Sequence, residues 1–138
     1  MSFTPVIAIH VTAALGALAL GPVALWARKG AVQRPRLHRA FGYAWVTLMV
    51  MAALSALFIH DPKMPNIAGF SPIHLLVPFT LFGLVASFRQ LARKEFAAHR
   101  RTMQSLYVGA CVTAGLFSLL PGRRMNHLLQ DTFALLVA

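Results

Sequence analysis

Histidine carries most of the chemistry available to this chain. Four of its six histidines form an alternating series, Ile9-His10, His38-Arg39, Ile73-His74 and His99-Arg100, with 28 residues from His10 to His38 and 25 from His74 to His99. Neutral imidazole is a good ligand for iron and copper, and two imidazoles on facing helices can clamp a haem iron from both sides. Alternatively, His10, His60 and His74 could converge on another metal ion. The single cysteine, Cys111, excludes an intramolecular disulfide and a cysteine zinc cluster, and its expected role is packing. The three acids, Asp61, Glu95 and Asp131, are widely separated. No paired carboxylates, serine-histidine-aspartate set, Gly-rich phosphate loop or intramembrane acid relay can be drawn from this inventory. Hydrolases, kinases and carboxylate-driven proton carriers are therefore disfavoured.

The elements that position these histidines follow from composition. In 138 residues, 58% are hydrophobic and only 12% charged, which is far from the balance of a water-soluble domain. Four apolar stretches stand out, at residues 5–27, 40–58, 73–91 and 103–120. Each is near the about 20 residues needed to cross a bilayer as a helix. None has the Lys- and Glu-rich face of a soluble bundle helix. The expected fold is an all-α membrane protein, a four-transmembrane-helix bundle forming a single domain over residues 1–138. Ten of the thirteen basic residues lie in or beside the first and third connections: Arg28, Lys29, Arg34, Arg36 and Arg39, then Arg89, Arg93, Lys94, Arg100 and Arg101. The positive-inside rule makes both connections cytoplasmic and both termini external. The basic cluster follows the first apolar run, so that run is expected to be a retained helix rather than a cleaved signal peptide. The net charge of +10 then reflects topology and attraction to anionic headgroups of the inner leaflet, with no nucleic-acid partner implied.

The histidine series reads as two pseudo-repeated helical hairpins. In a four-helix bundle with short connections, alternate helices lie diagonally. His10 and His74 then form an outer pair and His38 and His99 an inner pair, separated by the about 25 Å that 17 helical residues span from His10 to Ala27. The first, second and fourth helices place further residues on their histidine's face: Ala14, Ala17, Gly21 and Ala24; Gly42, Trp45, Met49, Ala52 and Ala56; Met103, Leu106, Ala110, Thr113 and Phe117. Such a small-residue seam on the first helix serves close helix packing more often than a cofactor cavity, and Gly21 is expected to accept alanine better than leucine. Pro5 and Pro72 suit the first turn of a helix, with Thr4 and Ser71 as N-caps.

Residues 121–138 begin with a Pro-Gly breaker and then place Met125, Leu128, Leu129 and Phe133 at helical spacing, which predicts a short C-terminal interfacial helix on the outer side.

In helix count and histidine placement the chain resembles cytochrome b561-like proteins, with no motif matched residue by residue. A closer resemblance rests on "IH" in the first span, "HRAFGY" opening the second, "FSPIHLL" opening the third, "HRRTM" before the fourth and "GLFSLLPGR" closing it. In this combined order the chain is similar to a family of small bacterial predicted membrane proteins classed as a domain of unknown function, the 2306 type. That resemblance implies a four-span integral membrane protein and implies no activity; the expected location is the bacterial inner membrane. Three classes of function remain: a haem b protein transferring electrons across the bilayer through His10, His38, His74 and His99; a non-catalytic accessory or scaffold subunit of a larger membrane complex, or a homo-oligomer; and a histidine-based metal-ion carrier or sensor.

Overall fold

The computed structural model describes residues 4–28, 33–60, 67–68, 70–121 and 124–138, and those in regular structure are almost entirely helical. Helix α1 spans Pro5–Trp26 and α2 spans Pro35–Ala56, each with proline in its first turn, where the missing N–H costs no helical bond. A 3₁₀ turn at Pro72–Leu75 leads into α3, Leu76–Ala92. The N-cap expectation holds in form at both places, since Thr4 and Ser71 are extended. Thr4, however, makes no side-chain cap bond.

Three helical segments are long and apolar enough to cross a membrane: Pro5–Trp26, Pro35–Ala56 and Ile73–Ala92. The fourth expected span, residues 103–120, is not one regular helix. It is built in succession from α4 (Phe96–Leu106), a π-helical segment (Tyr107–Val112) and α5 (Thr113–Ser118). Helix α4 also begins seven residues earlier than the apolar pattern predicts, because His99, Arg100, Arg101 and Thr102 are polar yet helical. From the first residue of α5, Thr113 Oγ1 donates to the carbonyl five residues back, Val108 O, inside the π segment, at 3.0 Å. The last helix, α6 (Arg124–Val137), touches little besides α5. It leaves Leu128, Leu129, Phe133, Leu135 and Leu136 exposed, as an interfacial helix would.

Helix α1 packs most extensively on α2, and α3 on α4; α2 also meets α3, and the π segment touches α1 and α3. The buried positions of α1 are Ala13, Ala17, Gly21 and Ala24, those of α2 are Trp45, Met49 and Ala53, and Leu106 and Ala110 come from the fourth stretch. The expected seams therefore face inward, slipping by one residue at Ala13 and Ala53. Such a slip is the drift expected when steps of four and three are laid on a helix of 3.6 residues per turn.

The seam of α1 is filled by aromatic side chains. Pro22, inside α1, has no N–H for the carbonyl of Leu18, and an unsatisfied carbonyl is costly in hydrocarbon. The Tyr107 hydroxyl donates to that carbonyl at 2.9 Å. Gly21 lets the ring approach: a Cβ there would collide with the Tyr107 ring and lie 3.0 Å from Trp45 Nε1. Even a Cβ is therefore too large at Gly21, a tighter fit than the expected preference for alanine over leucine requires, because the neighbour is a ring held by a hydrogen bond rather than a loose side-chain end. Trp45, Met49, Leu84, Leu106, Ala17 and Ala110 close the core around it. Cys111 is half-buried with its sulfur 3.2 Å from Met49 Sδ, in keeping with a packing role.

Candidate functional site

The histidines sit above and below this packed middle. At the end of the bundle that carries the arginines, His38 lies in the first turns of α2 and its Nδ1 is 2.7 Å from Ala24 O, in the last turn of α1. Carbonyls in a helix's last turn lack intrahelical partners, so this bond also caps α1. At the same end, His99 Nδ1 is 3.0 Å from Ser87 O and 2.7 Å from Ser87 Oγ, joining α4 to α3. Ser87 is fully buried. In both hairpins, then, a histidine of the second helix holds a backbone carbonyl near the end of the first.

A carbonyl only accepts, so Nδ1 is the donor in the His38 bond; at His99 the Ser87 hydroxyl 2.7 Å from Nδ1 can donate or accept, and the carbonyl at 3.0 Å favours the same Nδ1-protonated tautomer. The Nε2 lone pair is left available. That is the tautomer a metal-bound histidine adopts, since the hydrogen bond from the other nitrogen fixes the ring and raises its basicity. Gly42, one turn beyond His38 on the same face, has open space where a side chain would stand.

At the opposite end His10 behaves alike. Its Nδ1 is 3.0 Å from Ala52 O and 3.1 Å from Ser55 Oγ, while Ser55 Oγ itself donates to Ala52 O at 3.0 Å. His74 differs. The Ser71 N–H donates to His74 Nδ1 at 3.2 Å, with the Ser71 hydroxyl 3.1 Å from the same nitrogen. An N–H can only donate, so this Nδ1 is the acceptor and the proton lies on Nε2. That nitrogen has no hydrogen-bond partner among the described residues, and His74 is only 8% exposed. His74 packs edge-on against Phe70, centroids 5.4 Å apart, and its ring lies 6.0 Å from that of the exposed His60.

The expected grouping of His10, His60 and His74 about one ion is not formed: His60 and His74 approach each other, while His10 is engaged with α2. Among the described residues no group of three or more His, Cys, Asp or Glu side chains is placed to hold a metal ion. His127 is exposed on α6.

The arginines of the basic end are used in more than one way. Arg100 donates to Arg28 O at 2.9 Å, tying the start of α4 to the end of α1, and the Arg34 guanidinium lies 5.9 Å from the Trp26 ring centroid. The partners Ala24, Ser87 and Tyr107 had no individual sequence signal strong enough to name them. Pro22 was the available clue, because a proline within an apolar helix always frees a carbonyl four residues back.

The chain belongs to the family described as "Predicted membrane protein (DUF2306)", which it matches over residues 7–137. It is thus a membrane protein with several apolar helices, of a family whose description assigns no activity. No curated protein and no solved structure matches it, and a similarity to cytochrome b561-like proteins is not shown.

Proposed function

We propose that this family member binds one haem b at the basic end of the bundle, where His38 and His99 would hold its iron, and serves as a membrane electron carrier. The observation that carries the proposal is the shared placement of the two rings: each Nδ1 lies within hydrogen-bond distance of a main-chain carbonyl of the preceding helix, an arrangement that favours the tautomer with Nε2 free as a ligand. The donor set fits a low-spin iron, which takes two neutral imidazoles. When bound, the group would supply one-electron redox chemistry. The protein's part is to fix both ring planes through Ala24 and Ser87, and to leave room beside Gly42. The filled core around Trp45 and Tyr107 keeps any such group to the end of the bundle.

His10 and His74 are not an equivalent pair. His10 has the ligand tautomer, but the Ser71 N–H holds the His74 proton on the nitrogen that iron would need. In the same reading the stretch Phe96–Ser118 crosses the bilayer as a fourth, composite span. Both arginine-rich connections face the cytoplasm, and the termini face the periplasm.

A visible spectrum of the purified protein, made with adequate haem supply and recorded oxidised and reduced, tests the proposal. A bis-imidazole spectrum lost in both His38→Ala and His99→Ala, and kept in His74→Ala, is expected. A folded, colourless protein refutes it. In that case the two histidine bonds act purely as staples of each hairpin, and the accessory-subunit reading, tested by copurification with a larger complex at fixed stoichiometry, takes its place.

A further inference from the structure

We infer that the groove between the end of α3 and the start of α4 is a binding site for a singly charged phosphodiester, the oxyanion of an anionic glycerophospholipid headgroup. The site requires no cofactor and is independent of the haem proposal. The groove has a volume of about 790 Å³ and is lined by Gln90, Lys94, Glu95, Phe96, Arg101 and Thr102 among others. It is an open groove at the protein surface rather than an enclosed cavity. It lies where the apolar run of α3 ends, at Ala92, and so at the depth of headgroups.

Three features give it chemistry. Thr102 Oγ1 donates to Gln90 Oε1 at 2.9 Å, which occupies the amide's acceptor and leaves its NH₂ as a donor. Arg100 is engaged with the Arg28 carbonyl, whereas the Arg101 guanidinium and the Lys94 ammonium have no hydrogen-bond or ion-pair partner among the described residues. Finally, Lys94 turns the chain with φ at 60°, in the left-handed region where glycine or asparagine is easier to accommodate. A lysine there accepts backbone strain and brings a cation to the groove.

The charge balance selects the ligand. Lys94 and Arg101 contribute two positive charges and Glu95 one negative, a net of one, which matches a phosphodiester monoanion better than the more highly charged free phosphate. Phe96, 59% exposed in the same lining, offers apolar surface to the lipid body. Basic pockets between helices at a membrane surface hold anionic lipid headgroups in this manner.

Native mass spectrometry of the intact protein, released from micelles containing phosphatidylglycerol or phosphatidylcholine, is the test. Wild type is expected to retain phosphatidylglycerol in preference to phosphatidylcholine. The double variant Lys94→Gln/Arg101→Gln should lose about tenfold in retention, while Arg36→Gln/Arg39→Gln, with the same charge change on the other hairpin, should keep it. Equal loss in both double variants, or loss in neither, overturns the site. Millimolar inorganic phosphate should leave the lipid bound; displacement would show that a bare phosphate is read instead of a lipid diester, and would overturn the lipid assignment. Should the double variant fail to fold, Glu95→Gln decides the matter, since it is expected to strengthen lipid retention and admit inorganic phosphate. Unchanged selectivity in that variant counts against the proposal.

Discussion

Replacing Tyr107 by phenylalanine removes one oxygen, the donor that satisfies the Leu18 carbonyl at 2.9 Å in place of the N–H that Pro22 lacks. The ring remains against Gly21, so packing is nearly unchanged and the loss isolates the hydrogen bond. Leaving a buried carbonyl unpaired costs about 1–3 kcal/mol in proteins generally. Interhelical bonds measured inside membranes average about 0.6 kcal/mol and reach about 1.7. A destabilisation of roughly 1 kcal/mol is therefore expected for Tyr107→Phe. The informative background is Pro22→Ala, which restores an N–H at the position that normally bonds Leu18 O. There the tyrosine hydroxyl becomes redundant, and Tyr107→Phe should cost only a few tenths of a kcal/mol, so that the cycle yields a coupling of about 0.5–1 kcal/mol. Unfolding of all four proteins, followed by circular dichroism as denaturing detergent is titrated into one fixed lipid–detergent mixture, supplies the numbers. Equal losses in the two backgrounds would show that the hydroxyl does not substitute for the missing amide.

Gly21→Ala should destabilise the protein by roughly 1–3 kcal/mol in the same unfolding assay, through displacement of the Tyr107 ring, and wild-type stability would mean that the ring does not sit on Gly21. Nitrogen-15 spectra of the histidine rings in the haem-free protein should find the proton on Nδ1 in His10, His38 and His99 and on Nε2 in His74; a single tautomer for all four would contradict the distinction between His74 and the other three. Ser87→Ala removes one of the two contacts of His99 Nδ1 and should weaken haem retention while Ser55→Ala, at the opposite end beside His10, leaves it intact, as read by the absorbance ratio of haem to protein. A reporter active only in the cytoplasm, fused at the C-terminus, should stay silent, and a strong signal would reverse the assignment of sides.

Hydropathy, charge placement and periodicity by themselves determined that the chain is helical, that it lives in a membrane, where its arginines gather and which faces turn inward. These properties depend on transfer free energies and helical geometry, which are local sums over residues. The inward seams of α1, α2 and the fourth stretch were legible because only residues of suitable size recur at the helical repeat, and Ala17, Trp45, Met49, Leu106 and Ala110 are indeed buried there. Tertiary structure alone decided the rest. Whether a histidine's lone pair is free depends on which group meets its other nitrogen: Ala24 O lies 14 residues from His38, Ser87 O 12 from His99 and Ala52 O 42 from His10, whereas Ser71 N lies only three from His74. An Ile-His pair reads identically at His10 and His74, yet one is a donor to a neighbouring helix and the other an acceptor within its own turn. The filled seam at Gly21 has the same origin, because Tyr107 reaches a carbonyl 89 residues earlier in the chain and no local pattern encodes that meeting.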